Sequence, residues 1–182
     1  MARGVSAART ELTEGGAAPL PVRDPRAGKV RERYHGLFGG MEFPVPVESI
    51  AVDLLGLHVE EGDIGCSGML VPAERRVVLR ADEPHARQRF TLAHEVGHWV
   101  CQVLEGYTAP VYCRAEDVAP GADRMREREA NLFGAELLMP EPSVQAAFAQ
   151  ERDIEQVATR FGVSAEAMHW RLYNFGLVDD RP

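Results

Sequence analysis

Residues 94–98 read His-Glu-Val-Gly-His, and this pentapeptide constrains the fold more than any other stretch of the chain. Two histidines four apart in an α-helix lie on one face, so their imidazoles can bind the same metal ion. Glu95 lies about 100° around the helix from His94, so it can address a water molecule without being a ligand. The pattern predicts a helix carrying a zinc hydrolase site, with His94 and His98 as ligands and Glu95 as general base.

A catalytic zinc ion usually takes three protein ligands, so a further donor is expected downstream. Residues 127–139 read as a second helix that ends before Pro140. Glu127 and Asn131 are four apart on one face of that helix. This spacing suits Glu127 as the third ligand and Asn131 as the acceptor of a ring N–H from a ligand histidine. Glu129 is the alternative ligand, but it points about 160° around the helix from Asn131.

Small residues on the second helix favour a close approach between the two helices. Ala130 and Gly134 occupy positions that adjoin Glu127 and Asn131. Neither residue has a bulky side chain that would hold the helices apart. We therefore expect the two helices to meet where the three ligands must converge.

The region before the motif reads as a helix followed by a small sheet. Residues 46–55 carry apolar side chains at helical spacing, which predicts an amphipathic helix. A short strand is expected at 57–59, and the apolar runs 68–71 and 76–80, joined by residues 72–75, read as a hairpin. We expect a small antiparallel sheet whose edge strand could pair with an extended substrate backbone.

Charge and composition limit the classes of protein to which the chain can belong. With 28 acidic against 20 basic residues the formal net charge is −8, which argues against a general affinity for nucleic acid. The first 30 residues hold no long apolar run, so we expect neither a signal peptide nor a membrane segment, and a cytoplasmic location. We divide the chain into a disordered tail (1–35), a metallopeptidase core (36–141) and a helical C-terminal segment (142–182).

The C-terminal segment carries the spacing of a helix-turn-helix. Ala158, Gly162 and Met168 stand where that motif needs a small contact residue, a turn glycine and a core apolar residue. From residue 151 to the end, however, six acidic side chains face four arginines, whereas DNA binding demands an excess of cations. We interpret the segment as a helical pair packed on the core that recruits a protein substrate, with direct DNA binding as the alternative.

Two stretches of this chain resemble the ImmA/IrrE family of metallopeptidases. They are Arg-Phe-Thr-Leu-Ala-His-Glu-Val-Gly-His at 89–98 and Glu-Arg-Glu-Ala-Asn-Leu-Phe-Gly-Ala-Glu-Leu-Leu-Met-Pro at 127–140, and the wider resemblance spans roughly residues 40–176. It implies an α+β fold with a minimal thermolysin-like (gluzincin) core. It also implies a zinc protease whose substrates are commonly helix-turn-helix repressors of mobile elements or stress regulons. Gly134 stands where many relatives have alanine.

Two questions about the site stay open at the level of sequence. The oxyanion of the reaction needs a donor opposite the metal, and Tyr107 or Tyr112 in the connection between the two helices could supply it. Each tyrosine also fits an ordinary packing or surface role. The metal is expected to be zinc, with manganese or iron as alternatives for the same ligands.

These features predict a zinc-dependent endopeptidase that cleaves a helix-turn-helix repressor and so relieves repression. The alternative is a non-catalytic, metal-stabilised module that binds a repressor, or DNA, through its C-terminal helices. The two hypotheses differ at Glu95, since only the first needs its carboxylate.

Overall fold

The computed structural model describes residues 23–40, 43–108, 111–112 and 122–182, with the backbone alone at 111–112 and 122–123. The described chain is a mixed α+β fold, as the sequence predicts. Its helices are α1 (Pro25–Phe38), α2 (Val47–Ser49), α3 (His85–His98), α4 (Ala122–Leu138), α5 (Glu141–Glu151), α6 (Ile154–Phe161) and α7 (Ala165–Asn174). Its strands are β1 (His58–Gly62), β2 (Gly68–Val71), β3 (Arg76–Arg80) and β4 (Val111–Tyr112).

Two of the helices run on into π-helical turns. Residues Ile50–Leu54 continue α2, and the segment ends at Gly56, whose φ of 64° is easily adopted only by glycine. The predicted helix over 46–55 is therefore present, but its residues Ile50–Leu54 are π-helical. Residues Trp99–Val103 continue α3 in the same way, directly after the second histidine of the motif.

The sheet has four strands in the order β1-β3-β2-β4. The hairpin β2–β3 has the bounds that the sequence predicts, with a short 3-10 turn over Pro72–Glu74 between its strands. The prediction of an antiparallel sheet is wrong for β1, which pairs in parallel with β3. Strand β1 lies on the outer side of β3 and runs in the same direction as β3. Strand β2, on the other side of β3, runs in the opposite direction.

The outer side of β2 is covered. Strand β4 pairs antiparallel with it, matching Met69 with Tyr112 and Leu70 with Val111. Among the described strands the sheet edges are therefore β1 and β4, and the hairpin that precedes the active-site helix offers no open edge at these two positions. The short β4 comes from the connection between α3 and α4, which the sequence alone leaves without an assigned strand.

Helices α3 and α4 pack backbone against backbone. A Cβ atom built on Gly97 would lie 2.9 Å from the carbonyl oxygen of Ala130, and one on Gly134 would lie 3.1 Å from the amide nitrogen of His94. The contacts run in opposite directions along the two helices, so the pair is antiparallel. The predicted role of Ala130 and Gly134 is thus supported, and Gly97 supplies the matching gap on α3.

The N-terminal segment departs from the prediction of a disordered tail over 1–35. Residues 25–38 form α1, whose first turn is capped by the Asp24 carboxylate. Arg26 binds Glu129 at 2.7 Å, and Arg31 donates to the backbone carbonyl of Glu136, so α1 is fastened to α4. The helix buries only Ala27 and Val30, so its sequence shows little apolar period. Residues 1–22 lie outside the described part of the chain.

The C-terminal segment is helical and docks on α4 through a buried arginine. Helix α6 is followed by Gly162, which has a φ of 65°, and Ser164 caps α7, its hydroxyl accepting from the Ala167 amide. Arg171 donates to the Glu136 carboxylate and, at 3.0 Å, to the carbonyl oxygen of Met139. None of the helices that the structure describes combines the length and apolar character needed to cross a membrane.

Candidate metal centre

His94, His98 and Glu127 come together at the crossing of α3 and α4. The Nε2 atoms of the two histidines are 2.9 Å apart. One oxygen of Glu127 lies 3.3 Å from Nε2 of His94, and the other lies 3.2 Å from Nε2 of His98. Both histidines are buried and Glu127 is half-buried, so the cluster lies largely beneath the surface.

The three donors fit a divalent metal ion. One ligand atom from each residue lies within 4.8 Å of the others. Two imidazoles and one carboxylate are a donor set that catalytic zinc sites use, with room for a further ligand. If neither Nε2 carried a proton, the two lone pairs would repel each other at 2.9 Å. A metal ion shared by both nitrogens removes that repulsion.

Each histidine of the candidate site contacts an amide side chain through Nδ1, the ring nitrogen away from the cluster. His94 lies with Nδ1 2.9 Å from Oδ1 of Asn131, which is the contact predicted from the sequence. His98 lies with Nδ1 2.8 Å from Oε1 of Gln102. A ring that donates from Nδ1 has its Nε2 lone pair free for a metal.

The charges of the cluster favour an ionised Glu127 even without metal. Burial raises the pKa of Glu127, but hydrogen bonds from His94 and His98 outweigh it and lower the pKa to about 2. Burial lowers the pKa of His98, and its hydrogen bond to Glu127, with the charge of Glu95 and the contact with Gln102, raises it above the usual value. The carboxylate is thus ready to act as a metal ligand at neutral pH.

Glu95 lies beside the cluster and outside it. Its side chain is fully buried and faces the start of β2. A Cβ atom on Gly68 would lie only 2.8 Å from Oε1 of Glu95, so strand β2 passes directly over the carboxylate. This is the arrangement expected of a group that does not bind the metal.

Glu129, the alternative third ligand, is directed elsewhere. Its carboxylate accepts from Arg26 of α1 at 2.7 Å. Among the described residues it does not belong to the group of possible metal ligands, whereas Glu127 does. The helical geometry that favours Glu127 in the sequence therefore agrees with the structure.

The comparison of this chain with known families bears on what the site does. Residues 46–173 match the family model described as the IrrE N-terminal-like domain, a peptidase family. The chain belongs to this family. The ImmA/IrrE resemblance inferred from the two ligand helices is thereby confirmed.

A solved structure of a Mycobacterium tuberculosis transcriptional regulator shares the fold with this IrrE-like chain. The TM-score is 0.59 at 18% sequence identity, over 82% of this chain and 47% of the regulator. This chain therefore spans about half the length of that protein, and the likeness concerns the fold alone. No curated protein matches the chain in sequence.

Of the two tyrosines predicted as oxyanion donors, the structure describes the side chain of Tyr107 alone. The ring of Tyr107 lies under the Arg126 guanidinium, 4.3 Å from its central carbon, which is a packing role. Tyr112 lies in β4, and its side chain is outside the described part of the structure. Residues 113–121 of the same connection also lie outside it. The oxyanion donor therefore stays a prediction.

Sequence reasoning missed two residues of the site. Gln102 follows His98 by four positions, a spacing that could have signalled it, but a glutamine in a helix is too common to stand out. Gly68 lies in a strand and has no side chain that could mark it as part of a site. Its role is to let Glu95 approach β2, and only the packing of α3 against the sheet reveals that.

Proposed function

We propose that this chain is a zinc-dependent endopeptidase with a thermolysin-like (gluzincin) core. His94, His98 and Glu127 would hold the metal, and Glu95 would be the general base. The observation that carries the proposal is the convergence of the three ligand side chains, with the buried carboxylate of Glu95 beside them and outside the ligand group. Membership of a peptidase family supports the same reaction class.

The residues divide the work of peptide hydrolysis among them. A zinc ion, when bound, would polarise the scissile carbonyl group. Glu95 would take a proton from the attacking water and pass it to the leaving amine, as carboxylates do when they lie within hydrogen-bond reach. Asn131 and Gln102 keep the rings of the two histidines aimed at the ion. Manganese or iron would suit the same donors.

A cavity between α3, α4 and α7 could receive part of a protein substrate. It has a volume of about 780 Å³, and Phe90, Leu132 and Trp170 make its wall largely apolar. Asn131, which contacts His94 at Nδ1, forms part of the wall, but none of the three ligands does. The cavity therefore lies behind the His94 ring, where an apolar segment of a bound protein could dock away from the scissile bond.

We propose that the substrate is a helix-turn-helix repressor, met in the cytoplasm, and that α6 and α7 recruit it. These helices, joined by the turn at Gly162, have the order of a helix-turn-helix, yet their cations are engaged within the protein. Arg160 pairs with Glu151 at 3.0 Å, and Arg171 is buried against Glu136. Arginines held in this way have little to offer DNA phosphates, which supports protein recruitment over DNA binding.

The test is incubation of the zinc-loaded chain with a helix-turn-helix repressor encoded beside its gene, followed by mass measurement of the products. We expect two defined fragments with the wild type and none with Glu95→Gln. The Glu95→Gln protein should bind zinc as the wild type does, because Glu95 is not a ligand. If Glu95→Gln inactivates the repressor as fully as the wild type, the catalytic account is wrong and the non-catalytic binding module is right.

A further inference from the structure

We propose that Gln102 is a positioning residue of the metal centre. It fixes which nitrogen of His98 carries the proton, and it ties the end of the active-site helix to the residue that precedes Glu127. The inference rests on the proposed metal site, and it assigns a role to a residue that lies outside the His-Glu-x-x-His motif.

The contacts of Gln102 allow one orientation of its amide. The side chain is buried, with 6% of its surface exposed, and it has two partners. Its Nε2 donates to the carbonyl oxygen of Arg126 at 3.1 Å. A carbonyl oxygen can only accept, so the amide nitrogen must face Arg126 and the amide oxygen must face His98.

This orientation determines the state of the His98 ring. Oε1 of Gln102 lies 2.8 Å from Nδ1 of His98, and an amide oxygen can only accept. The proton of a neutral His98 must therefore be on Nδ1. That leaves Nε2 with a lone pair on the side of the ring that faces Glu127, 3.2 Å away.

The second contact of Gln102 acts on the other helix. Arg126 immediately precedes Glu127 on α4, and its carbonyl group is held by an amide that belongs to the extension of α3. Each of the two helical segments thus supplies an amide side chain that binds a group of the other. Asn131 of α4 holds His94 of α3, while Gln102 holds both His98 and the backbone next to Glu127.

The backbone around Gln102 is built for this position. It lies in the π-helical turn Trp99–Val103. Such turns are rare in proteins, and those that occur are often located at functional sites. Its own carbonyl oxygen accepts from the amides of Glu105 and Tyr107, at 3.1 and 3.0 Å, which ends the helix. Gln102 is therefore fixed through its main chain as well as its side chain.

The test compares zinc affinity, by competition with a chromophoric chelator, in the full chain and three variants. Gln102→Met keeps the length of the side chain but loses the amide, and we expect it to bind zinc about 10- to 100-fold more weakly. Gln102→Glu keeps an acceptor for His98 but sets a second carboxylate oxygen against the carbonyl oxygen of Arg126, so it should recover only part of that loss. Gln88→Met is the matched control on α3, because Gln88 also donates to a carbonyl oxygen, that of Arg80, far from the ligands. It should bind zinc like the wild type.

The histidine nitrogen NMR spectrum of the zinc-loaded wild type provides a second readout that needs no variant to fold. We expect His98 to carry its proton on Nδ1, and a proton on Nε2 would overturn the inference. It would also be overturned if Gln102→Met bound zinc as tightly as the wild type. If the wild type itself bound no zinc, the proposed function would fail as well, so the two failures are distinguishable.

Discussion

The close crossing of α3 and α4 makes the metal centre sensitive to a single methyl group at Gly97. A Cβ atom there would lie 2.9 Å from the carbonyl oxygen and 3.0 Å from the Cα of Ala130, whereas ordinary contacts begin at 3.4 Å. Both atoms belong to the backbone of α4, so no side chain can move aside. Gly97→Ala must therefore separate the helices by about 0.5 Å, from 2.9 to 3.4 Å.

A separation of this size should have a small effect on the stability of the core and a large effect on the geometry of the metal ligands. Alanine gains about 1 kcal/mol over glycine in a helix, and overpacking costs about 1–3 kcal/mol, so the free energy of unfolding should fall by at most about 2 kcal/mol. Zinc ligands tolerate only about 0.2 Å of displacement. Because His94 and His98 lie on one helix and Glu127 on the other, we expect zinc affinity to fall about 10-fold or more, equivalent to about 1.4 kcal/mol.

Chelator competition and urea unfolding of the metal-free protein would measure the two effects separately. Gly28→Ala is the control, since a Cβ atom in that helix would meet only the end of the Arg31 side chain, at 3.9 Å. That variant should gain about 1 kcal/mol of stability and keep its zinc affinity. A Gly97→Ala protein that bound zinc like the wild type would refute the argument that the crossing sets the ligand geometry.

Two further predictions follow from the surroundings of the site. Gly68→Ala places a methyl group against the side chain of Thr91 and 2.8 Å from Oε1 of Glu95, so it should lower peptidase turnover about 10-fold or more by displacing the base; equal turnover would contradict this. In the metal-free protein, Glu127 has its pKa lowered from 4.5 to about 2, so its stabilising contribution is complete above pH 4.5 and is lost as the pH falls toward 2. Urea unfolding with EDTA should show the wild type losing this stability between pH 5 and 2 while Glu127→Gln does not, and parallel curves for the two proteins would contradict it.

The parts of the fold that could be predicted are those governed by local spacing. The hairpin β2–β3 and the two ligand helices follow from apolar periods and proline positions, and the ligand residues follow from helical geometry. Helix α1 could not be predicted in the same way, because long-range ion pairs such as Arg26 with Glu129 hold it on α4. The partners of those pairs are about a hundred residues apart, and no local pattern joins them.

The details that could not be predicted from the sequence concern backbone geometry. A π-helical turn differs from an α-helical one by a single residue, and the pattern over 99–103 does not separate the two. Strand β4 is two residues long, which is too short for an alternation to be read. The sheet is mixed because β1 pairs with β3 and not with β2. The sequence does not show which of these two edges of the hairpin β1 joins.

The most direct test of the whole account is the zinc affinity of three proteins: wild type, Glu127→Gln and Glu129→Gln. We predict one tightly bound zinc ion for the wild type, a loss of about 10-fold or more for Glu127→Gln, and no change for Glu129→Gln. The two glutamates are two residues apart on one helix, so general effects on folding are matched. A wild type that bound no zinc, or a loss with Glu129→Gln and none with Glu127→Gln, would contradict the metal centre described above.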